Sequence, residues 1–339
     1  MPTQSTLQRF IRRQRTVAGP AQPNNLFDFE VPAQYQITND GDAFLLHDTG
    51  PGNDRILIFG TQRNLQLLSQ HRNWYGDGTF KVVPEIFYQL YTLHIFIDNH
   101  CIPLIYALLT NKQQVTYVRF LNLLRNLPGL HHLNPESILT DFELAVINAF
   151  QEVFIGIDVH GCLFHLSQNI YRKVQEQGLQ VRYSNDPEFA LRIRMLAALA
   201  FVPVPNVLDA FESLMETFPM EAIPVADYFE DNYIGRLRRN RRAAAMFPLQ
   251  LWNVFDRVQM GLPRSNNSVE AWHHHFQSVV GCHHPSIWKF IDKLKAEQSL
   301  NERRIEQVFA GQQKEKKKCY RDMEMRISNI VAVFDNRDV

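Results

Sequence analysis

Residues 74–80 read Trp-Tyr-Gly-Asp-Gly-Thr-Phe, an acidic residue between two glycines in a segment otherwise rich in β-forming side chains. Strands seldom carry aspartate or glycine, because neither packs well on a pleated surface. A glycine in a strand often marks the close approach of a ligand or another backbone. Asp77 is therefore either a turn residue or a carboxylate held at the centre of a sheet. The local sequence alone favours neither, but the strands that follow favour the second alternative.

The segments around this run predict a sheet. Short apolar segments come before it, and longer aromatic and β-branched segments follow it as a meander that begins at Asp77. Thr61 is placed to cap a helix that runs to about residue 70. The other predicted strands here are residues 43–48, 55–60, 86–97 and 101–109.

Downstream of the meander, helices and strands alternate. Val115 opens a helical pattern that Pro128 ends, and residues 137–141 predict a short strand that finishes in Asp141. This alternation predicts an α/β layer whose ligands bind at the strand ends. The elements predicted next are a helix at 142–151, a strand at 154–159 and a helix from about 161 to 173.

Between residues 186 and 260 strand signals disappear and helical patterns replace them, which predicts an all-helical insertion in the α/β domain. The insertion contains a dense basic cluster, Arg236 to Arg242. A solvated helix or loop face is the ordinary interpretation of such a cluster, and phosphate contact is the rival interpretation. The arginines concerned are Arg236, Arg238, Arg239, Arg241 and Arg242.

The composition is that of an ordinary globular protein. Of the 339 residues, 45% are hydrophobic and 21% are charged, and the formal net charge is zero. Any nucleic-acid binding must therefore come from local basic patches. The four cysteines are scattered, the N-terminus has no apolar core, and no apolar run is long enough to span a bilayer. We expect a soluble intracellular protein that does not enter a membrane.

Three widely spaced carboxylates stand at positions suited to metal binding. Asp77 lies in the first strand of the meander, Asp141 at the end of a later strand, and Glu270 in the first turn of a helix after the insertion. Hard divalent cations prefer oxygen ligands. A pair of such ions can activate an attacking oxygen and stabilise the departing one.

Four motifs in this order resemble the Mutator-like (MULE) DDE transposases, a family with a retroviral-integrase-like ribonuclease H fold. The resemblance extends over roughly residues 40–300. Its carriers are Trp74-Tyr-Gly-Asp77-Gly-Thr-Phe80, Ile138-Leu-Thr-Asp141-Phe-Glu143, Gly161-Cys162-Leu-Phe-His165 and Asn266-Asn267-Ser-Val-Glu270.

The resemblance implies an α/β, ribonuclease H-like mixed sheet flanked by helices, with an all-helical insertion before the last catalytic helix. It also implies a metal-binding catalytic triad of Asp77, Asp141 and Glu270 with two Mg²⁺ or Mn²⁺ ions. Water, and then a DNA 3′-hydroxyl, would attack phosphodiesters at transposon ends. The implied partner is double-stranded DNA with terminal repeats, bound by a homo-oligomer, and the implied location is the nucleus.

These expectations divide the chain into five parts. A basic N-terminal segment, with Arg9, Arg12, Arg13 and Arg15, could touch phosphate, although a solvated terminus is the preferred interpretation. The run Lys314 to Lys318 is a solvated tail or an aid to nuclear import. The parts are an N-terminal segment and linker at 1–40, the first part of the catalytic domain at 41–185, the insertion at 186–260, the final catalytic-domain helix at 261–300 and a charged helical tail at 301–339.

Asp141 and Glu270 also have local alternatives. Asp141 could cap the helix that follows it, although Thr140-x-x-Glu143 already supplies a capping box there and frees Asp141 for other work. Asn267-x-x-Glu270 fits a capping box as well, and without the family resemblance this interpretation of Glu270 is preferred. Glu143 is expected to be a bystander near the site.

Cys162 and His165 match the Cys-x-x-His element that the family has after its second aspartate. Two ligands do not complete a tetrahedral zinc site, and no histidine lies between residues 166 and 272 to complete the pair. Cys282-His283-His284 could substitute in space. We expect Cys162 and His165 to pack or to orient neighbouring groups rather than to bind zinc. The run His273 to His275 is expected to be surface or near-site polar structure.

The leading functional hypothesis is a Mg²⁺-dependent transposase core that nicks DNA and joins strands. Its rival is a catalytically silent, host-adopted or defective relic that binds DNA or protein. A third hypothesis, a ribonuclease H-like nuclease for RNA–DNA hybrids, conflicts with the insertion before Glu270. Relatives often carry a zinc-binding recognition domain before this region, and no cysteine precedes Cys101. We therefore expect a fragment or truncated copy, or DNA recognition by another part.

Overall fold

The computed structural model describes residues 20–128, 133–239, 241–312 and 315–334. A seven-stranded mixed sheet with helices on both faces forms the centre of the protein. Its strands are β1 (Leu45–Asp48), β2 (Leu57–Phe59), β3 (Asn73–Thr79), β4 (Gln89–Ile97), β5 (His100–Leu109), β6 (Ser137–Thr140) and β7 (Asp158–Gly161). A separate hairpin contains β8 (Leu237–Arg238) and β9 (Arg241–Arg242).

The helices cover the sheet and extend beyond it. In chain order they are α1 (Ala33–Gln36), α2 (Gln62–Gln70), α3 (Gln114–Arg125), α4 (Leu144–Val153), α5 (Leu163–Glu176), α6 (Gln180–Asn185), α7 (Pro187–Ala198), α8 (Val207–Glu216), α9 (Ile223–Phe229), α10 (Leu249–Trp252), α11 (Phe255–Gln259), α12 (Asn267–Val280), α13 (Ile287–Phe309) and α14 (Lys318–Ala332). No helix in the described part of the chain is both long and apolar enough to cross a membrane.

The strand order is β1-β2-β5-β4-β3-β6-β7. The meander β3-β4-β5 is antiparallel, as its sequence predicts. By contrast, β6 pairs with β3 in parallel, and β7 pairs with β6 in parallel. The predicted α/β architecture, a mixed sheet flanked by helices, is confirmed.

Both faces of the sheet are buried, and the strand residues alternate between them. On β5, Tyr106 and Leu108 belong to the apolar cluster that contains Trp272 of α12 and Phe290 of α13. Ala107, which lies between them, belongs to the larger cluster on the opposite face, which contains residues of α3, α4 and α5. This double burial explains why the central strands read as continuous apolar runs.

Several local predictions hold, and one strand is displaced. Thr61 caps α2, because its hydroxyl oxygen accepts the Asn64 backbone N–H at 3.2 Å. The predicted strand at 154–159 was wrong in position, since β7 begins only at Asp158. Gly156 has φ +84°, a left-handed turn that no strand contains, and it therefore delays the strand until the turn is complete.

The segment between β7 and α12 is mainly helical, as predicted, but it is not all-helical. Leu237–Arg238 pairs with Arg241–Arg242 in a short hairpin. Gly235, at φ +87°, starts the hairpin where the chain comes close to Ala243; an added Cβ there would lie 2.0 Å from the Ala243 carbonyl oxygen. The domain boundaries assigned from sequence stay predictions, and the N-terminal arginines and Lys314 lie outside the described residues.

Candidate active site

Asp77 and Asp141 are carried by adjacent parallel strands. Tyr75 on β3 pairs with Leu139 on β6, so two residues further along each strand Asp77 and Asp141 stand side by side. Asp77 lies within β3 and pairs with Thr92 of β4, which shows that the turn interpretation was wrong. Burial and then the neighbouring Asp141 raise the pKa of Asp77 well above its usual range.

The two glycines beside Asp77 make room for side chains of β4. A Cβ on Gly76 would lie 2.4 Å from the Tyr91 hydroxyl oxygen, and one on Gly78 would lie 2.7 Å from Gln89 Oε1. The close approach inferred from sequence therefore comes from side chains of the neighbouring strand. The Gly78 backbone N–H also donates to Asp77 Oδ1 at 2.7 Å, which holds the carboxylate in one orientation.

Glu270 reaches the site from the first turn of α12. The capping box predicted for Asn267 and Glu270 was wrong, since α12 begins at Asn267 and no side chain caps it. The residue before it, Asn266, is buried and turns into the sheet instead. Its amide donates to the backbone oxygens of Gly76 (3.1 Å) and Leu139 (3.4 Å), one on each strand that carries an aspartate.

Glu143 forms no capping box either. It precedes α4 without a capping hydrogen bond, so the prediction for Thr140 and Glu143 was wrong. Glu143 instead accepts a hydrogen bond from the Tyr117 hydroxyl at 3.1 Å. Burial raises the pKa of Glu143.

His165 stands between two of the predicted carboxylates. Its Nδ1 lies 2.8 Å from Asp141 Oδ1, and its Nε2 lies 3.4 Å from Glu270 Oε1. Burial by itself would lower the pKa of His165, but the contacts with Asp141 and Cys162 outweigh it and raise this pKa to about 10. At neutral pH the ring is therefore a cation held among acids.

Cys162 precedes α5 and is fully buried. Its sulfur accepts the backbone N–H of Asn266 at 3.2 Å. Within the described residues, ligand atoms of Cys162, His165 and Glu270 all lie within 4.8 Å of one another. The third member of the group is thus the predicted catalytic glutamate. Cys282 and His283 instead line a surface pocket with His274.

The three consecutive histidines of α12 have different surroundings. The His273 side chain is 8% exposed, and its Nε2 lies 3.1 Å from Thr92 Oγ1 and 3.7 Å from Asp77 Oδ2. Burial, followed by the charge of His274, lowers the pKa of His273 to about 3. His274 and His275 are exposed. Burial raises the pKa of Glu270, and the charges of His165 and then of His274 only partly oppose this rise.

The arginine cluster divides into two groups. Arg236 forms ion pairs with Asp227 and Asp231, and Arg242 forms ion pairs with Glu212 and Glu230. Between them, Arg238, Arg239 and Arg241 are exposed and have no acidic partner within 4.0 Å among the described residues. The paired arginines hold the hairpin, and the others are free to contact a ligand.

The segments on either side of this hairpin contact the residue that follows Asp141. Phe142, which follows Asp141 directly, packs edge-on against Tyr233 and Phe247, with ring centroids 5.6 and 5.0 Å away. The same ring explains Gly161, since a Cβ there would lie 2.5 Å from the Phe142 ring. The helical segment and the sheet therefore meet next to Asp141.

The residues at this site fit a hard divalent cation. Asp77 and Asp141 are neighbours that repel each other, and Glu270 Oε1 is buried without a hydrogen bond from any described residue. Buried carboxylates grouped in this way need a compensating positive charge. Sequence reasoning did not identify Asn266 as a residue that joins the two strands, although Asn266 is part of the fourth motif.

The comparison with known protein families agrees with this geometry. Residues 73–169 match the family model of the MULE transposase domain. The matched segment includes Asp77, Asp141, Cys162 and His165 and ends before Glu270. A search of the curated proteins found no match to the chain. The family suggested by the sequence motifs is thereby confirmed for residues 73–169.

Proposed function

We propose, from the premise that residues 73–169 form a MULE transposase domain, that the chain is a DDE-type catalytic core that cuts and joins DNA strands at transposon ends. A transposase of this family is a DNA-cleaving enzyme that needs a divalent metal. The finer parts of the proposal are a ribonuclease H-like fold, two Mg²⁺ or Mn²⁺ ions and the triad Asp77, Asp141 and Glu270.

One observation carries the proposal. Carboxylates from three distant parts of the sequence meet around one imidazole, with Asp141 and Glu270 on either side of His165 and Asp77 beside Asp141. The charges of Asp141 and Glu270 both raise the pKa of Asp77, although less than burial does. Such repulsion is typical of a site that binds cations.

The residues have separate tasks in this proposal. Asp77 and Asp141 would bridge the ions, and Glu270 would complete the site. Two bound ions would supply activation of the attacking oxygen and stabilisation of the leaving one. Asn266 fixes the ends of β3 and β6 and the start of α12 relative to one another, and the Asp77 carboxylate is oriented by the Gly78 N–H.

Double-stranded DNA with terminal repeats is the proposed substrate, and Arg238, Arg239 and Arg241 are proposed to contact its phosphates. We also propose action as a homo-oligomer on DNA in the nucleus. The exposed arginines of the hairpin support the DNA contact, because a chain with zero net charge needs a local basic patch.

A catalytically silent DNA- or protein-binding relic is the second candidate. It is favoured by the His165 imidazolium, which already neutralises part of the charge of Asp141 and Glu270. In an active enzyme the contact between His165 and Glu270 has to open before Glu270 binds a cation.

The test is Mn²⁺ binding by calorimetry, with and without a short DNA duplex. We expect binding in the wild type and its loss in Asp77→Asn and in Asp141→Asn. Asp158→Asn is the matched control, because Asp158 is an exposed acid at the opposite end of the same sheet. Mn²⁺ binding that none of these substitutions changes, or no binding even with DNA, would leave the relic as the function.

A further inference from the structure

The group Cys162, His165 and Glu270 combines one sulfur, one nitrogen and one oxygen ligand. Their ligand atoms lie within 4.8 Å of one another. Mg²⁺ prefers oxygen ligands alone, whereas Zn²⁺ is bound by cysteine, histidine and carboxylate together. The chemistry of this group therefore differs from that of the three-carboxylate site with which it shares Glu270.

His165 is oriented as zinc-binding histidines are. Its Nδ1 contacts the Asp141 carboxylate at 2.8 Å, which directs Nε2 toward Glu270. Histidines that bind metals usually have their other ring nitrogen on a carboxylate or carbonyl, which fixes the ring. The 3.4 Å from Nε2 to Glu270 Oε1 is too long for a good hydrogen bond. It is close to the roughly 3.4 Å expected between two ligands on one tetrahedral zinc.

Cys162 supplies the sulfur ligand of the group. The residue is fully buried at the start of α5, and its sulfur accepts the Asn266 backbone N–H at 3.2 Å. Glu270 Oε1, the third ligand atom, is buried and lacks a hydrogen bond from any described residue.

We propose that Cys162, His165 and Glu270 form a zinc site that switches the catalytic centre off. The inference rests on the proposed function. Zinc would draw Glu270 away from the catalytic ions directly, and it would draw Asp141 away through the contact of Asp141 with His165. On binding, the Cys162 thiol and the protonated Nε2 of His165 each release a proton to solvent, while Nδ1 keeps its proton toward Asp141. The three protein ligands leave the fourth position for water. Free zinc would then inhibit at concentrations far below those of Mg²⁺.

The binding test uses cobalt as a spectroscopic substitute for zinc in the whole protein. We expect a sulfur-to-cobalt charge-transfer band and the visible bands of tetrahedral Co²⁺, both removed by excess Zn²⁺. Cys162→Ser should abolish the charge-transfer band and weaken zinc binding by at least about tenfold. Cys282→Ser, at an exposed cysteine beside His283, should leave both unchanged. A wild-type spectrum without the charge-transfer band overturns the proposal, whether or not Cys162→Ser folds.

A second arm separates this inference from the proposed function. Zinc is titrated into Mg²⁺-dependent DNA nicking, and each variant is referred to its own activity without zinc. The zinc concentration for half-inhibition should rise at least about tenfold in Cys162→Ser and stay constant in Cys282→Ser. Equal inhibition of both variants overturns the switch. Absence of nicking in every variant overturns the proposed function, while the cobalt spectrum still decides the zinc site.

Discussion

At Gly76 the absence of a side chain allows the buried Tyr91 to pack under the strand that carries Asp77. A Cβ there would lie 2.4 Å from the Tyr91 hydroxyl oxygen and 3.1 Å from the ring carbon that bears it. Tyr91 is fully buried and cannot swing into solvent. We expect Gly76→Ala to lower the free energy of unfolding by about 1–3 kcal/mol, the usual cost of overpacking a core, as measured by urea denaturation.

The control for this prediction is the same substitution in a Tyr91→Phe background. Removal of the hydroxyl oxygen eliminates the shorter of the two contacts, so Gly76→Ala should cost less there than in the wild type. A double-mutant cycle gives this difference directly. Equal costs of Gly76→Ala in the two backgrounds would show that the cost arises from backbone effects and not from contact with the Tyr91 hydroxyl.

The residue scale also shows where local sequence rules fail. Asp77 was predictable as a strand residue from the meander that follows it. Glu143 was assigned to a capping box and Asn266 received no role, yet Glu143 accepts from the Tyr117 hydroxyl and the Asn266 amide donates to strand carbonyls. A capping rule considers only neighbours in sequence, whereas both side chains found partners more than twenty residues away. No local pattern contains those partners.

The hairpin of β8 and β9 is the element with the clearest proposed task in DNA binding. Arg236 and Arg242 are held by acids, while Arg238, Arg239 and Arg241 are exposed. We expect the triple change of these three to glutamine to weaken binding to any DNA duplex. The plot of log affinity against log salt should become shallower by up to about 2.7, because each lost phosphate contact contributes about 0.9.

The control variant loses the same number of positive charges as the hairpin variant, but from another part of the surface. Arg303, Arg321 and Arg326 are exposed arginines of α13 and α14, and changing all three to glutamine also removes three charges. Fluorescence anisotropy at several salt concentrations measures both variants. Equal losses of affinity would mean that overall charge decides binding, and the hairpin would then have no special task.

Element prediction succeeded where a pattern was long. The central strands β4 and β5 were predictable, because they are aromatic and β-branched runs of nine and ten residues. The hairpin was missed because strands of two residues have no period. At α12, three consecutive histidines fall on three sides of the helix, so their order in the sequence does not show which one is buried. Only packing shows that His273 is the buried one.

At the scale of the whole molecule, β4 and α12 join through a buried polar layer. His94 is fully buried, with its Nε2 at 2.8 Å from Thr92 Oγ1 and its ring 5.4 Å from that of Trp272. The same threonine hydroxyl contacts His273, which adjoins Asp77. The rings of His94 and His273 are both neutral in this layer. Protonation of either ring would place a charge under α12, so the packing of α12, and hence the position of Glu270, depends on both rings staying neutral.

This layer predicts a loss of stability in mild acid. Burial, followed by the neighbouring His273, lowers the pKa of His94 well below its usual range. The unfolded chain therefore takes up a proton near pH 6.5 that the folded chain excludes, so stability falls as pH decreases below about 6.5. The contribution of His94 is a slope of up to about 1.4 kcal/mol per pH unit.

The measurement compares urea unfolding of the wild type, His94→Gln and His283→Gln between pH 7.5 and 4.5, a range of roughly three units chosen around the ordinary histidine pKa. His283 is exposed, so its variant should follow the wild type. The raised pKa values of Asp77 and Glu270 have the opposite effect on stability in all three proteins. The folded chain binds protons at these carboxyls more readily than the unfolded chain does, so they stabilise the folded state as the pH falls. Because His94→Gln lacks the histidine that excludes a proton, this variant should lose the least stability of the three proteins on acidification. Parallel curves for all three proteins would mean that His94 accepts a proton while folded, and that the layer under α12 tolerates charge.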